Sequence, residues 1–208
     1  MTDFADLKTQ IMEWINREDF SDTLVTSFVR MAERKLNSEL RVSRMIRTAT
    51  NNVTLRCGPL PDDWLAFDLV LIASTVAPGG WTPIRYKARD EFFQLPDKWS
   101  QNFYTIEGRT IFFGGTPDAI EGVPFQIYYF GEVPVFADDC DSWVYTKYPD
   151  LYLSAALMYA YMHAVGEEAQ AAGAKTLTED TISKLNDEFR MARSSGSRLT
   201  RTRTRSFG

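Results

Sequence analysis

The spacing of apolar residues changes twice along this chain, and this change constrains the fold more than any other sequence feature. Apolar residues recur at helical spacing near both ends, whereas β-prone runs separated by Gly and Pro clusters fill the middle. The pattern predicts an α+β fold, an antiparallel helical bundle with an inserted β-rich subdomain that is sandwich-like or barrel-like. The predicted segments are an N-terminal helix pair at 1–45, the β-rich insertion at 46–140, the C-terminal helices at 141–193 and an extended basic tail at 194–208.

Capping residues predict where the N-terminal helix pair begins and ends. Thr2 or Asp3 can cap the first helix, which is expected to end near Arg17, and Ser21 or Asp22 can cap the second. Because the connector between them is short, the two helices are expected to be antiparallel.

The insertion is predicted to contain six strands and one helical turn. Glu107 and Gly108 form a plausible hairpin turn, and residues 90–95 can form the helical turn. The predicted strands are residues 47–56, 66–73, 82–86, 103–106, 110–113 and 123–130.

Helical signals return at Ser142. Pro149 suits the first position of a helix, and Gly166 is the natural end of that helix. Thr176 and Glu179 have the spacing of a capping box for a further helix, although a start near Glu167 is an alternative. The Ser-Ser-Gly-Ser sequence at 194–197 is expected to break this last helix.

Composition indicates a globular chain in a reducing compartment. Hydrophobic residues make up 44% of the sequence and charged residues 25%, and the two cysteines, Cys57 and Cys140, suit neither a disulfide framework nor a zinc site. The N-terminus lacks the basic and apolar pattern of a signal peptide. Ser154 and His163 interrupt the longest apolar stretch, so we expect no membrane span.

Charge is distributed unevenly. The net charge is −5, but residues 194–208 carry four arginines and no acid, so the rest of the chain has 19 basic and 28 acidic residues and a charge of −9. An acidic body argues against binding to DNA or membranes over the whole surface. We call residues 194–208 the arginine tail; its arginines are Arg198, Arg201, Arg203 and Arg205.

No residue pattern predicts catalysis, a cofactor or a metal. His163 is the only histidine and lies in an apolar helical segment, so a core or interface role is favoured over a catalytic one. The carboxylates of Asp138, Asp139 and Asp141 precede a helix, which favours capping over cation binding. Residues 173–176 resemble the end of a phosphate loop but lack its upstream glycine.

The arginine tail has three interpretations. It can be a solvated terminus, or it can bind an acidic protein surface or add a strand to a partner's sheet, or it can bind nucleic acid. In an extended conformation its arginines and threonines alternate between two sides.

Several separated motifs resemble the head-to-tail adaptor proteins of tailed bacteriophages, especially the portal-binding connectors of short-tailed phages. They span most of residues 4–160 and occur in the family's order. Asp6-Leu7-Lys8 and residues 14–19, 28–33 and 36–42 resemble the family's opening helix pair, and residues 60–64 resemble its Leu-Pro-x-Asp turn. Tyr104 and residues 107–108, 117–119 and 128–129 resemble its sheet region. Trp143 and residues 148–157 resemble its third helix.

This resemblance implies a structural protein of the virion that is not an enzyme. Copies are expected to form a ring, usually twelve-fold, beneath the portal protein, where they extend the DNA channel and provide a docking surface for tail or nozzle proteins. Double-stranded DNA would pass through the lumen during ejection without specific binding, and assembly would take place in the host cytoplasm. The family's C-terminal segment commonly embraces the portal, which assigns portal docking to Arg198, Leu199, Arg201, Arg203, Arg205 and Phe207.

Two alternatives to the adaptor interpretation stay open from the sequence. One is a phage DNA-associated protein that uses its arginine tail to bind phosphates. The other is an unrecognised hydrolase that uses His163 with a nearby acid.

Overall fold

The structure, a computed structural model, describes residues 4–16, 20–74, 80–95, 103–115, 120–138 and 140–198, without the side chains of 195–198. It confirms the α+β class. The chain forms two compact units, a helical unit of residues 1–44 and 133–208 and a β unit of residues 45–132. The helices are α1 (Phe4–Ile15), α2 (Asp22–Glu39), α3 (Arg89–Gln94), α4 (Trp143–Lys147), α5 (Pro149–His163) and α6 (Glu168–Arg198).

Two of the predicted helix starts are confirmed by cap geometry. Ser21 has an extended backbone, and its hydroxyl accepts a hydrogen bond from the backbone N–H of Leu24. Pro149 lies in the first turn of α5, where its missing N–H costs nothing. Gly166, with φ of +90°, lies in the turn between α5 and α6.

The predicted capping box at Thr176 is wrong. The helix α6 begins at Glu168, close to the alternative start, and Thr176 lies inside it, where its hydroxyl donates to the carbonyl of Ala172. Threonine satisfies its hydroxyl in this way within helices, so the capping signal is ambiguous. The helix also continues through residues 194–197 to Arg198, beyond the expected break.

The strands of the β unit form one sheet within the described residues. Its order is β1-β7-β3-β4-β5-β6-β2, and all neighbours are antiparallel except the parallel pair β4 and β5. The strands are β1 (Ile46–Asn52), β2 (Cys57–Pro59), β3 (Trp64–Ala73), β4 (Trp81–Tyr86), β5 (Phe103–Glu107), β6 (Thr110–Phe113) and β7 (Pro124–Gly131).

A tight turn brings the two ends of this sheet together. Thr54 and Cys57 exchange backbone hydrogen bonds of 2.8 and 3.0 Å, so β1 leads directly into β2. Since β1 and β2 are the two outer strands, the sheet is nearly closed and barrel-like. The turn residues Leu55 and Arg56 have φ of 52° and 65°, a conformation that hairpin turns usually assign to Asn and Gly.

Apolar side chains on one face of the strands fill the core of the β unit. It includes Val53, Val70, Ile84, Ile111, Phe113, Phe125 and Ile127. Gly58 allows this packing, because a Cβ at that position would lie 2.4 Å from Cζ of Phe125. The short strand β2 was not predicted, since Gly58 and Pro59 are typical of turns.

The Leu55–Arg56 turn generates a test of backbone strain. Leu55 is 80% exposed and contributes little packing, whereas its left-handed backbone is costly for a branched side chain. We expect Leu55→Asn to raise the free energy of unfolding by about 0.5–1 kcal/mol, measured by urea denaturation. Leu55→Val is the control and should lower it, because β-branched residues tolerate φ > 0 poorly. Lower stability of the Asn variant would contradict this account.

Candidate interaction surface

The helix α5 is apolar on all of its sides. Within one 15-residue helix, the buried side chains are distributed around the whole circumference. A helix of this kind needs neighbours on every side to exclude water. The buried residues are Leu151, Tyr152, Ser154, Ala155, Ala156, Leu157, Met158 and Ala160.

Three helices of the same unit cover three sides of α5. α1, α2 and α6 all pack against it. At the contact with α6, the hydroxyl of Thr178 donates to the hydroxyl of Ser154 over 3.0 Å, and both residues are buried. At the contact with α1, the hydroxyl of Tyr161 donates to the carbonyl of Trp14 over 3.2 Å. These bonds fix how the helices pack.

The remaining side of α5, between α1 and α6, is an open groove of about 390 Å³. Its walls are mainly apolar, but Asp150 and Gln170 add polar groups. The α1 residue Trp14 is 65% exposed, and the α6 residue Leu177 is 56% exposed. Exposed apolar surface of this kind is typical of a binding site. We call it the α5 groove; its apolar lining is Trp14, Leu153, Leu157, Tyr161, Ala174 and Leu177.

A buried carboxylate fixes α2, α5 and the segment that returns from the β unit. Glu33 of α2 is 5% exposed. It accepts hydrogen bonds from the hydroxyl of Tyr152 at 2.6 Å, the backbone N–H of Phe136 at 2.7 Å and the guanidinium of Arg30 at 2.9 Å. Arg30 also donates to the carbonyl of Phe136. The buried carboxylate of Glu33 is therefore satisfied by three donors, as burial of a charge requires.

Aromatic rings pack around this carboxylate. Phe136 contacts the rings of Phe4, Tyr145 and Tyr152 at centroid distances of 5.2, 4.9 and 5.8 Å. Burial and the neighbouring Glu33 carboxylate raise the pKa of Tyr152 above its ordinary value of 10.0, since both oppose formation of a phenolate. Tyr152 thus stays a hydrogen-bond donor to Glu33 at neutral pH.

The residues predicted to dock on the portal lie almost entirely outside the described residues. Only the backbone of Arg198 is described, as the last residue of α6. Leu199, Arg201, Arg203, Arg205 and Phe207 belong to the part of the chain that the structure does not describe.

The other residues considered in the sequence are dispersed in the helical unit. His163 is exposed at the end of α5, where its ring lies 5.8 Å from that of Phe20 and 5.7 Å from that of Phe28. It is therefore not a core residue. Asp138 and Asp141 precede α4, whereas Asp139 lies outside the described residues. Gly173–Thr176 lies inside α6, which is consistent with its rejection as a phosphate loop.

No group of three or more His, Cys, Asp or Glu side chains could hold a metal ion within the described ranges. In the same part of the chain, no helix is both long and apolar enough to cross a membrane.

Sequence reasoning missed the α5 groove. The signal was present in the sequence, because the run from Leu151 to Ala160 is apolar on more than one face. A search for helices that are apolar on all sides would have found this signal. The exposure of Trp14 was not foreseen, because Trp14 follows Leu7 and Ile11, which are buried, at helical spacing.

The fold and the groove define an α+β protein with a candidate interaction surface. A family model described as SU10 adaptor protein matches residues 2–204, almost the entire sequence. The chain therefore belongs to this family of phage head-to-tail adaptor proteins, which confirms the resemblance in its sequence. No curated protein matches the chain.

The Glu33 contacts generate a test of stability. Glu33→Ala leaves the N–H of Phe136 and the hydroxyl of Tyr152 without their acceptor, so we expect the free energy of unfolding to fall by about 3–5 kcal/mol. Glu39→Ala is the matched control on α2. It removes one exposed carboxylate partner of Lys35, which keeps Glu179 as a second partner, and should cost less than about 1 kcal/mol. Equal losses in urea denaturation would contradict the assigned role of Glu33.

The raised pKa of Tyr152 predicts a loss of stability in alkali. Above pH 10 the unfolded chain releases the phenolic proton while the folded chain retains it, so unfolding becomes more favourable as pH rises. The contribution is at most about 1.4 kcal/mol per pH unit. Denaturation at several pH values above 10 should show a shallower decline for Tyr152→Phe than for the unchanged chain. Parallel declines would show that Tyr152 does not contribute.

Proposed function

We propose that this phage adaptor forms a ring of twelve copies beneath the portal protein. The ring extends the DNA channel and provides the docking surface for tail or nozzle proteins. It is a structural component of the virion without catalytic activity, assembled in the host cytoplasm. The observation that carries the proposal is membership of the adaptor family over residues 2–204.

The charge of the chain supports a role as a channel wall. Outside the arginine tail the formal charge is −9. Each phosphate that a protein neutralises with Lys or Arg adds affinity for DNA, and such affinity would slow a duplex during ejection. An acidic body avoids this retention, so double-stranded DNA passes through the lumen without specific binding.

The arginine tail is the proposed portal contact. Guanidinium groups bind carboxylates in a two-pronged geometry, which suits docking on an acidic protein surface. The proposed contact residues are Arg198, Leu199, Arg201, Arg203, Arg205 and Phe207.

The length of α6 supports this assignment. Its 31 residues correspond to a helix of roughly 46 Å, and its last described side chains, residues 191–194, are exposed. The ten residues that follow Arg198 could span roughly 35 Å in an extended conformation. Contact well beyond the packed helices is therefore within reach of the chain.

Deletion of residues 194–208 tests the proposed portal contact. The deletion removes no buried side chain among the described residues, so the domain should keep its helical circular dichroism and melting temperature. Binding to purified portal rings, measured by cosedimentation, should weaken by at least about tenfold, since charge-assisted bonds are lost. Equal binding of the full-length and truncated chains would refute the proposal.

Two full-length variants serve as matched controls. Replacing the four tail arginines with Gln should weaken portal binding as the deletion does, whereas replacing them with Lys should retain part of it, because charge remains but the fork geometry is lost. A titration with duplex DNA at several salt concentrations is the second arm. Tight, salt-sensitive DNA binding that disappears with the tail would contradict the portal assignment and favour a DNA-associated protein.

A further inference from the structure

We propose that α2 of a second copy of this chain fills the α5 groove, with Met31 against its apolar walls and Arg34 beside Asp150. This inference rests on the proposed ring and names its contact between neighbouring copies. Each helical unit would then bind one neighbour through the outward face of α2 and the other neighbour through the α5 groove.

The groove requires a helical occupant. The helix α5 is apolar all round, and α1, α2 and α6 leave the side carrying Leu153, Leu157 and Tyr161 partly open. This opening lies between two helices and runs along a third, which is the shape that a fourth packed helix fills. The exposed side chains of Trp14 and Leu177 then become the flanks of that contact.

The outward face of α2 is suited to enter such a groove. Ser27, Met31, Arg34 and Ser38 follow one another at helical spacing on this face. Met31 is 41% exposed and provides a flexible apolar side chain, while the two serines are small and allow close approach. The serine hydroxyls already donate to the carbonyls of Leu24 and Lys35, respectively, so burial leaves neither donor unpaired.

Charge supports the same pairing. Asp150 is exposed on the groove wall, and Arg34 is exposed on α2; neither has an ion-pair partner among the described residues. A guanidinium beside a carboxylate at the edge of an apolar contact would fix the orientation of the entering helix. Orientations that bring like charges together would be disfavoured.

The outward face of α2 and the α5 groove lie on different sides of the helical unit. Glu179 of α6 contacts Lys35, which locates α2 on that side of α6. Leu177, two residues earlier, is roughly 160° away around the helix and faces the groove. Since one copy therefore cannot use both surfaces against the same neighbour, the contact is head-to-tail. Head-to-tail contacts generate rings when the rotation closes.

Thiol cross-linking distinguishes this contact from its alternatives. In a Cys57→Ser, Cys140→Ser background, Met31→Cys and Leu177→Cys are introduced separately and together. After assembly on portal rings and treatment with a short bifunctional maleimide, the double variant should give a ladder of covalent oligomers. Each single variant should stay monomeric, and a mixture of the two should stop at dimers.

Each other outcome overturns the inference in a distinct way. Dimers from Leu177→Cys alone would mean that two grooves face each other. Portal-bound rings seen by electron microscopy without cross-links in the double variant would mean that another surface joins the copies, while the proposed function stands. Absence of rings on the portal even for the unchanged chain would overturn the proposed function itself.

A charge introduced into the α5 groove provides a second test of the contact. Leu177→Asp should reduce the number of copies bound per portal ring by at least about tenfold, because an unpaired carboxylate would enter an apolar contact. Met191→Asp is the matched control. It changes an exposed apolar residue of the same helix outside the groove and should leave assembly within about twofold. Equal assembly of both variants would overturn the inference.

Discussion

The helical unit depends on one carboxylate that lies out of reach of water. Glu33 holds α2, the segment after the β unit and α5 together through donors that are more than 100 residues away in sequence. A single acceptor group that serves three segments makes their positions interdependent, because any displacement would leave a buried donor unpaired. The aromatic rings of Phe4, Phe136 and Tyr145 then pack in one arrangement around it.

This constraint positions α5, and α5 in turn creates the interaction surface. Once Tyr152 is held by Glu33 and Ser154 by Thr178, the helix cannot rotate to hide its remaining apolar side. The groove is therefore a fixed opening in a rigid frame, which lowers the entropic cost of binding a partner helix.

Local sequence signals predicted most of the secondary structure but not the groove. Helical periodicity, Ser21 and Pro149 located the helices, because these effects act within one turn of the chain. The strand β2 was missed because the packing of Gly58 under Phe125 depends on a residue far along the sequence. The start of α6 was misplaced because Thr176 has the same local chemistry in a cap and in a helix. The open side of α5 depends on where three other helices lie, which no local pattern records.

The two ends of the β unit lie side by side. Ile46, next to its first residue, pairs with Phe130, near its last, and antiparallel partners lie only about 5 Å apart. A short linker could bridge that distance. Inserted modules of different size could therefore occupy this position in related chains without a longer connection between α2 and α4.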